Sequence, residues 1–411
     1  MIELGTTQYK RVTISLALGS FIVFCNLYLF QPMLPYMAQY FSVSETQVNW
    51  IFAASTLALS VCLVPWAVAS ERIGRRKVML MGLLAMPMIG LTMLLTESLL
   101  ALVVCRALMG IALAAFTSVA VAYMVEELSA KAFAHAIGTY IAANSLGGIS
   151  GRILGGTLTD ALGWQLAVVT MAMITLLGSA LVWYYLPIQR HFKPQGGMMR
   201  YHNRALLSHL TNPVLRIAML IGAVNFALFV NLYSVMAFRL VSEPHNLPIG
   251  LASMIFLCYL GGTISSKLTA QWKQNKHPVD GMIIGAAISL LGMLVAYVDQ
   301  LSVMILGLLL ISFGAFFTHT LAYAWVSQHA KRAKATATAL YLVHYYIGGS
   351  LGGFFLIYCW QHGGWAWVMT GGSVLYAVMF ALTAQLKHHS KAQPRTTKTA
   401  ILAANKKMEA P

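Results

Sequence analysis

The stretch Tyr140–Trp164, YIAANSLGGISGRILGGTLTDALGW, has a counterpart 201 residues downstream, where Tyr341–Trp365 reads YLVHYYIGGSLGGFFLIYCWQHGGW. Aligned without a gap, Tyr140, Gly147, Gly148, Gly151, Gly163 and Trp164 meet Tyr341, Gly348, Gly349, Gly352, Gly364 and Trp365. Lys131 meets Arg332, and Asn26-Leu27-Tyr28 recurs as Asn231-Leu232-Tyr233 at an offset of 205. Small residues four apart in an apolar run let helix backbones approach closely in a bilayer. A duplicated set of such helices is the sequence mark of a transporter that rocks one bundle against another.

Outward from these runs the chain is apolar almost throughout. Of its 411 residues 59% are hydrophobic and 9% charged, against about 45–50% and 25% in soluble domains. This excludes an ordinary soluble enzyme and a disordered chain. The five cysteines (Cys25, Cys62, Cys105, Cys258, Cys359) lie inside apolar runs, so no disulfide scaffold is indicated. A spanning helix needs about 20 apolar residues. Twelve such runs are legible, at 12–37, 47–69, 78–96, 99–124, 134–158, 165–187, 214–238, 248–268, 279–298, 301–324, 337–359 and 366–385. The fold expected is an all-α membrane protein of twelve transmembrane helices in two six-helix pseudo-repeated halves. Residues 1–187 form the first half, 188–213 a polar linker containing Gly196-Gly197, 214–385 the second half, and 386–411 a basic tail expected to be disordered.

The net charge of +16 would suit nucleic acid, but the basic residues punctuate the apolar runs and are not massed on one domain. With the N-terminus in the cytoplasm, 24 of the 27 Lys and Arg fall on cytoplasmic segments, leaving Arg106, Arg152 and Arg239. Opposite loops carry Glu45, Glu97, Asp160, Glu243 and Asp299. The asymmetry puts both termini in the cytoplasm. The partners expected are the lipid bilayer and a small-molecule substrate, not nucleic acid, and a monomer is expected.

The loop after the second run reads Ala67-Val68-Ala69-Ser70-Glu71-Arg72-Ile73-Gly74-Arg75-Arg76-Lys77. It resembles the signature of the major facilitator superfamily, Gly-x-Leu-x-Asp-Arg-x-Gly-Arg-Arg-Lys, with departures at Ala67, Ala69 and Glu71. An acid here can face a helix N-terminus, and the arginines can pair with Glu126 or Glu127 as a conformational latch. A plain positive-inside anchor is the simpler alternative. Arg106-Ala-Leu-Met-Gly110 resembles the Arg-x-x-x-Gly of that family's fourth span, whose Arg faces the cavity and helps couple protons to substrate. Gly138, Gly147, Gly151, Gly155 and Gly156 resemble its antiporter motif in span five, except that Arg152 stands where Pro is expected. Close helix packing through Gly147, Gly151, Gly155, Gly348 and Gly352 explains these glycines equally well. The resemblance covers essentially the whole chain. It is nearest to the twelve-span drug:proton antiporter branch and, within it, to YnfM-type proteins of the bacterial inner membrane.

No Asp or Glu lies mid-span, so the titratable candidates at depth are His319 and His344, as proton carriers or as hydrogen-bonded structural groups. Asn26, Tyr28, Gln31, Asn144, Asn225 and Asn231 can line a cavity or bond helices together. Arg152 is either an anchor paired to Asp160 or, with Arg106, an anion site. No metal cluster, cofactor motif or P-loop appears, so an ion or substrate gradient must supply the energy. The expected function is secondary active, proton-coupled efflux of small amphiphilic or organic compounds by alternating access. Uptake of an organic anion by proton symport is the alternative. An enzyme lacks a nucleophile–base pair here, and a sensor would need an output domain.

Overall fold

Long uninterrupted apolar runs leave each backbone donor and acceptor one option in a bilayer, the intrahelical hydrogen bond. The computed structural model describes residues 1–192, 199–330 and 333–392, and these are almost entirely helical. The readings made for Gly196-Gly197, Arg332 and the tail beyond Ala392 lie outside the described residues. In the first half the crossing helices are α1 (Thr7–Tyr28), α2 (Trp50–Ile73), α3 (Arg75–Thr92), α4 (Leu99–Thr117), α5 (Ala130–Leu162) and α6 (Trp164–Tyr185). In the second they are α7 (Pro213–Val241), α8 (Tyr259–Asn275), α9 (Pro278–Val295) and α10 (Leu301–His329), followed by Lys334–Ala392.

Among the described residues ten helices are long and apolar enough to cross a membrane. Lys334–Ala392 counts as one of them but breaks at Gly363 and Gly364, so it supplies both α11, before the break, and α12, after it. The remaining crossing helix is α5, whose 33 residues include Asn144, Arg152 and many glycines and so dilute its apolar character. The repeat seen in the sequence has a structural meaning here. Gly163 (φ 81°) and Gly364 (φ 58°) both take the left-handed conformation that turns one helix into the next, α5 into α6 and α11 into α12.

Some boundaries differ from the sequence reading. The first apolar run extends to residue 37, yet α1 stops at Tyr28 and a short helix, Leu34–Tyr40, follows. Pro32 and Pro35 lack the amide hydrogens needed to continue the first helix. The linker carries a helix, Met199–Thr211, and α12 continues to Ala392, beyond the expected end at 385.

α5 lies along α1 with no side chain between the backbones. A Cβ on Gly147, Gly151 or Gly155 would collide with the carbonyl oxygens of Phe21, Cys25 and Leu29 respectively. The second half repeats the arrangement, with Gly348 and Gly352 of α11 against Ala223 and Ala227 of α7. At the end of α7, Arg239 donates to the carbonyls of Ala296 and Tyr297 and to Asp299 Oδ1 at 3.0 Å, and His245 bonds the same carboxylate at 2.8 Å.

Gly151→Leu is expected to destabilise the protein by about 2 kcal/mol or more, because a leucine has no space against the α1 backbone. Gly138→Leu, on the same helix but with open space around it, is expected to be tolerated. Equal melting temperatures for the two purified variants would contradict this packing.

The His245 hydrogen bond, aided by the Arg239 guanidinium, holds the Asp299 carboxyl below its ordinary value of 3.8. A depressed carboxylate contributes stability that is present above the unfolded value and is lost as pH falls through the folded one. Asp299 is 53% exposed, so its contribution is at most about 1 kcal/mol. Asp299→Asn should lower the melting temperature slightly at pH 7, and the gap should close as the pH falls below 3.8. A gap that stays constant down to pH 3 would show that Asp299 acts only through uncharged contacts.

Candidate functional site

One face of α5 records where the two halves touch. Along it Gly138 and Ala142 are exposed, Ser145 is half-buried, and Ile149, Arg152 and Gly156 are buried. α11 changes in the same direction, from exposed Ala335 through half-buried Ala339 and Leu342 to buried Tyr346, Ser350 and Gly353. The halves therefore part at the end where α5 and α11 begin, which carries Arg72, Arg75, Arg76, Lys77 and Lys131, and close at the other. The result is a cleft open at the basic end.

Polar contacts cross the closed end beside apolar ones such as the Trp50 ring on Phe354, 4.7 Å between centres. Gln31 Nε2 donates to the Val230 carbonyl and to Ser234 Oγ, both at 2.9 Å. Thr56 and Ser350 share a hydrogen bond of 2.6 Å, and Thr46 Oγ1 donates to Gln361 Oε1 at 2.9 Å. Gly156 meets Ser253 and Ile249 of the short helical turns before α8, and Gly353 meets Asn49. Asn49 is fully buried, with neither side-chain polar atom hydrogen-bonded.

Arg152 sits in this layer, 1% exposed. Its Nε donates to Gln31 Oε1 and its Nη1 to the Gly148 carbonyl, both at 2.7 Å. The guanidinium carbon lies 3.6 Å from the centre of the Tyr28 ring, 4.7 Å from Tyr259 and 5.0 Å from Phe256. Tyr28 belongs to the first half and the other two rings to the second, so the side chain is gripped by both. Asp160, considered as its partner, is exposed and lies beside Gly250 instead. The Arg that replaces the expected Pro leaves α5 a continuous helix.

Arg106 is placed differently from the sequence expectation. It is also 1% exposed, but it donates to the carbonyls of Ile51, Asn26 and Leu27 and to Ser55 Oγ, at 2.7 to 3.1 Å. Two of those acceptors are the final-turn carbonyls of α1, where a cation is favoured. The space beside it is about 10 Å³, too small for a substrate. Arg106 thus ties α1, α2 and α4 together inside one half and shares no partner with Arg152. Asn26 acts alike, bonding the Ile22 carbonyl and Thr175 Oγ1 of α6. Asn231 bonds the Ala227 and Gly349 carbonyls, Asn225 bonds the Ala315 carbonyl, and Asn144 meets Ser20. These asparagines join helices, while Tyr28 and Gln31 stand at the meeting of the halves.

His319 lies 4.5 Å from the Tyr345 ring, and its Nδ1 shares a 2.9 Å hydrogen bond with the Tyr341 hydroxyl. His344 Nδ1 donates to the Leu340 carbonyl of its own helix at 2.8 Å. Both are half-buried on the open side of the closed layer.

At the basic end Arg75 pairs with Glu126 at 2.9 Å, and Arg76 donates to the carbonyls of Leu186 and Trp183. Glu127 accepts from the backbone amides of Arg190 and His191. Gly74 (φ 106°) makes the turn that sets Arg75 and Arg76 at the start of α3, with Glu71 and Arg72 in the last turn of α2. These bonds join the α2–α3 loop to the α4–α5 junction and the start of the linker, all on the first half.

Tyr259, Phe256, Ser234 and Asn49 were not among the sequence candidates. Each is an ordinary residue of an apolar run, and only the packing of one half on the other singles it out.

The family model of the Major Facilitator Superfamily matches residues 16–353. The inner membrane transport protein YnfM of Escherichia coli K12 is 30% identical over 95% of this chain and 93% of its own length. The uncharacterized MFS-type transporter YybF of Bacillus subtilis is 30% identical, covering 93% and 94%. The crystal structure of a bacterial homologue of the human lysosomal transporter Spinster, inward-facing and unoccupied, shares the fold. Its TM-score is 0.72 at 16% identity, covering 93% of this chain and 95% of that one. With twelve crossing helices and a cleft between two halves, this chain belongs to the major facilitator superfamily of multi-pass membrane transporters.

Proposed function

We propose that this transporter is a proton-coupled secondary exporter of small amphiphilic organic compounds, acting as a monomer in the bacterial inner membrane with both termini in the cytoplasm. The observation that carries the reading is the one-sided cleft. It opens at the end bearing the basic loops, which is the cytoplasmic side by charge asymmetry. A solute from the cytoplasm enters there, and a rocking of the halves that breaks the Gln31, Thr56 and Thr46 contacts releases it on the other side. The tyrosines at the inner end of the cleft, half-buried Tyr345 with Tyr28 and Tyr346 behind it, suit a body part apolar and part polar. Inward movement of an organic anion is the second reading, favoured by the buried charge of Arg152.

Flux in proteoliposomes of known orientation, measured above the passive leak of protein-free liposomes, tests this with three probes: naphthalene-2-sulfonate, its neutral sulfonamide, and the naphthyl trimethylammonium cation. At least one should move from the basic-end compartment to the other against its gradient when the destination is acidic, and collapsing the pH gradient should stop it. Flux only in the opposite direction would support uptake, and no flux of any probe would remove the export reading.

His319 and His344 are the ionisable side chains proposed for coupling. Replacing both by Gln should abolish the stimulation of transport by an imposed pH gradient. Undiminished stimulation in the double variant would move the coupling site elsewhere, with Asp160 the next candidate.

A further inference from the structure

We propose that Arg152 is the recognition point for an aromatic organic anion, and that the same contact unlocks the closed end of the cleft. The inference deepens the transport reading of this cleft and rests on it.

The first support is an imbalance of charge. Three arginines lie buried in or at the ends of helices. Arg106 is held by helix-end carbonyls, and Arg239 has Asp299 at 3.0 Å. Arg152 has neither, and among the described residues no carboxylate pairs with it. A guanidinium cannot discard its proton in a protein, so burying one without an anion is costly. In a transporter that cost is useful, because an anionic substrate removes it.

The second support is shape. The guanidinium has five N–H donors in a planar fork, and Gln31 and Gly148 take one each from two of its nitrogens. Such a fork matches the two oxygens of a carboxylate or sulfonate. Tyr28, Tyr259 and Phe256 surround it with ring faces and edges. A ligand whose charged group reaches Arg152 from the cleft therefore places its body among aromatic walls, which favours a flat apolar ring.

The third support is connectivity. Gln31 joins Arg152 to the opposite half, accepting from its Nε while donating to Val230 and Ser234 of α7. Hydrogen bonds in such a chain polarise and strengthen one another. An anion that draws the guanidinium away from Gln31 frees the carboxamide and weakens its hold on α7. Substrate binding and release of the closed end then share one atom-to-atom path.

The test uses the purified full-length protein and the same three naphthyl probes. Naphthalene-2-sulfonate should bind at least tenfold more tightly than the sulfonamide or the cation. Arg152→Lys, which keeps the charge but not the fork, should weaken it at least tenfold. Gln31→Glu places a carboxylate beside Arg152 without enlarging the side chain. It should abolish sulfonate binding while leaving the melting temperature unchanged or higher, so the test survives if the Lys variant folds poorly. Thr56→Cys reports on the closed end, since Thr56 is fully buried there. Sulfonate should speed its alkylation by an impermeant maleimide several-fold over the parent protein, and this gain should vanish when Gln31→Glu is added. Equal binding of all three probes, no binding of sulfonate, undiminished binding by Gln31→Glu, or alkylation indifferent to sulfonate would overturn the proposal. Flux of the sulfonamide or the cation with no sulfonate binding would leave export standing and remove Arg152. Sulfonate binding without proton-driven flux would do the reverse.

Discussion

The contact of α5 on α1, backbone against backbone through Gly147, Gly151 and Gly155, fixes the rest of this structure. Glycines at intervals of four on one helix meet Phe21, Cys25 and Leu29, also at intervals of four, on the other. The register is set to within one turn, since any slide would drive side chains into the opposing backbone. Arg152 follows Gly151 directly, Tyr28 precedes Leu29, and Gln31 lies two residues after it. Locking the glycines therefore delivers the guanidinium to the Tyr28 ring and the Gln31 carboxamide. Gly156, the next residue after Gly155, then turns toward Ser253 and supplies the opposite half with a place to close. The second half uses the same device between α11 and α7 and places Gly353 where α5 has Arg152. The duplication is thus symmetric in packing and asymmetric in charge.

Three buried arginines show how a membrane protein accommodates cations in different ways. A helix end offers carbonyls without partners and a partial negative charge. Arg106 uses the end of α1, and Arg239 combines the end of α9 with a carboxylate. Both are structural, because each makes its hydrogen bonds within one half. Arg152 touches both halves, holds neutral acceptors, and leaves its charge to aromatic faces. Cation–π contacts are worth roughly 0.5–2 kcal/mol each, less than the several kcal/mol that burying a charge can cost. A group in that state is sensitive to any anion that reaches it.

The parts of this architecture set by local rules were legible in the sequence. Apolar run length gave the crossings, and the offset of 201 pointed to paired glycines that proved to be contact points and turns. The Arg75–Glu126 pair followed from charge and proximity of loops. What failed was the assignment of side-chain direction. Arg106 read as a cavity residue, and Asn26 as either a cavity residue or a bond between helices, because a polar residue in a helix is satisfied as readily by a neighbouring helix as by a substrate. Tyr259 and Ser234 carried no signal, since their role exists only once the two halves meet. Proline at 32 and 35 did signal the early end of α1, and the hydrophobic run overshadowed it.

The closed end is built to come apart. Its direct polar links, Gln31 to α7, Thr56 to Ser350 and Thr46 to Gln361, each contribute about 1 kcal/mol net. Together these polar links amount to about 3 kcal/mol, beside apolar packing such as Trp50 on Phe354. Asn49 and the Asn231 oxygen sharpen the point, for they are buried at the same seam without hydrogen-bond partners. An unsatisfied buried amide costs roughly 1–3 kcal/mol, and parting the halves would admit water to it. The closed arrangement therefore contains polar groups that gain from opening. Unsatisfied groups of this kind narrow the free-energy gap between the two positions of the seam. A small gap is what alternating access requires, because a seam satisfied on every atom would close once and stay closed.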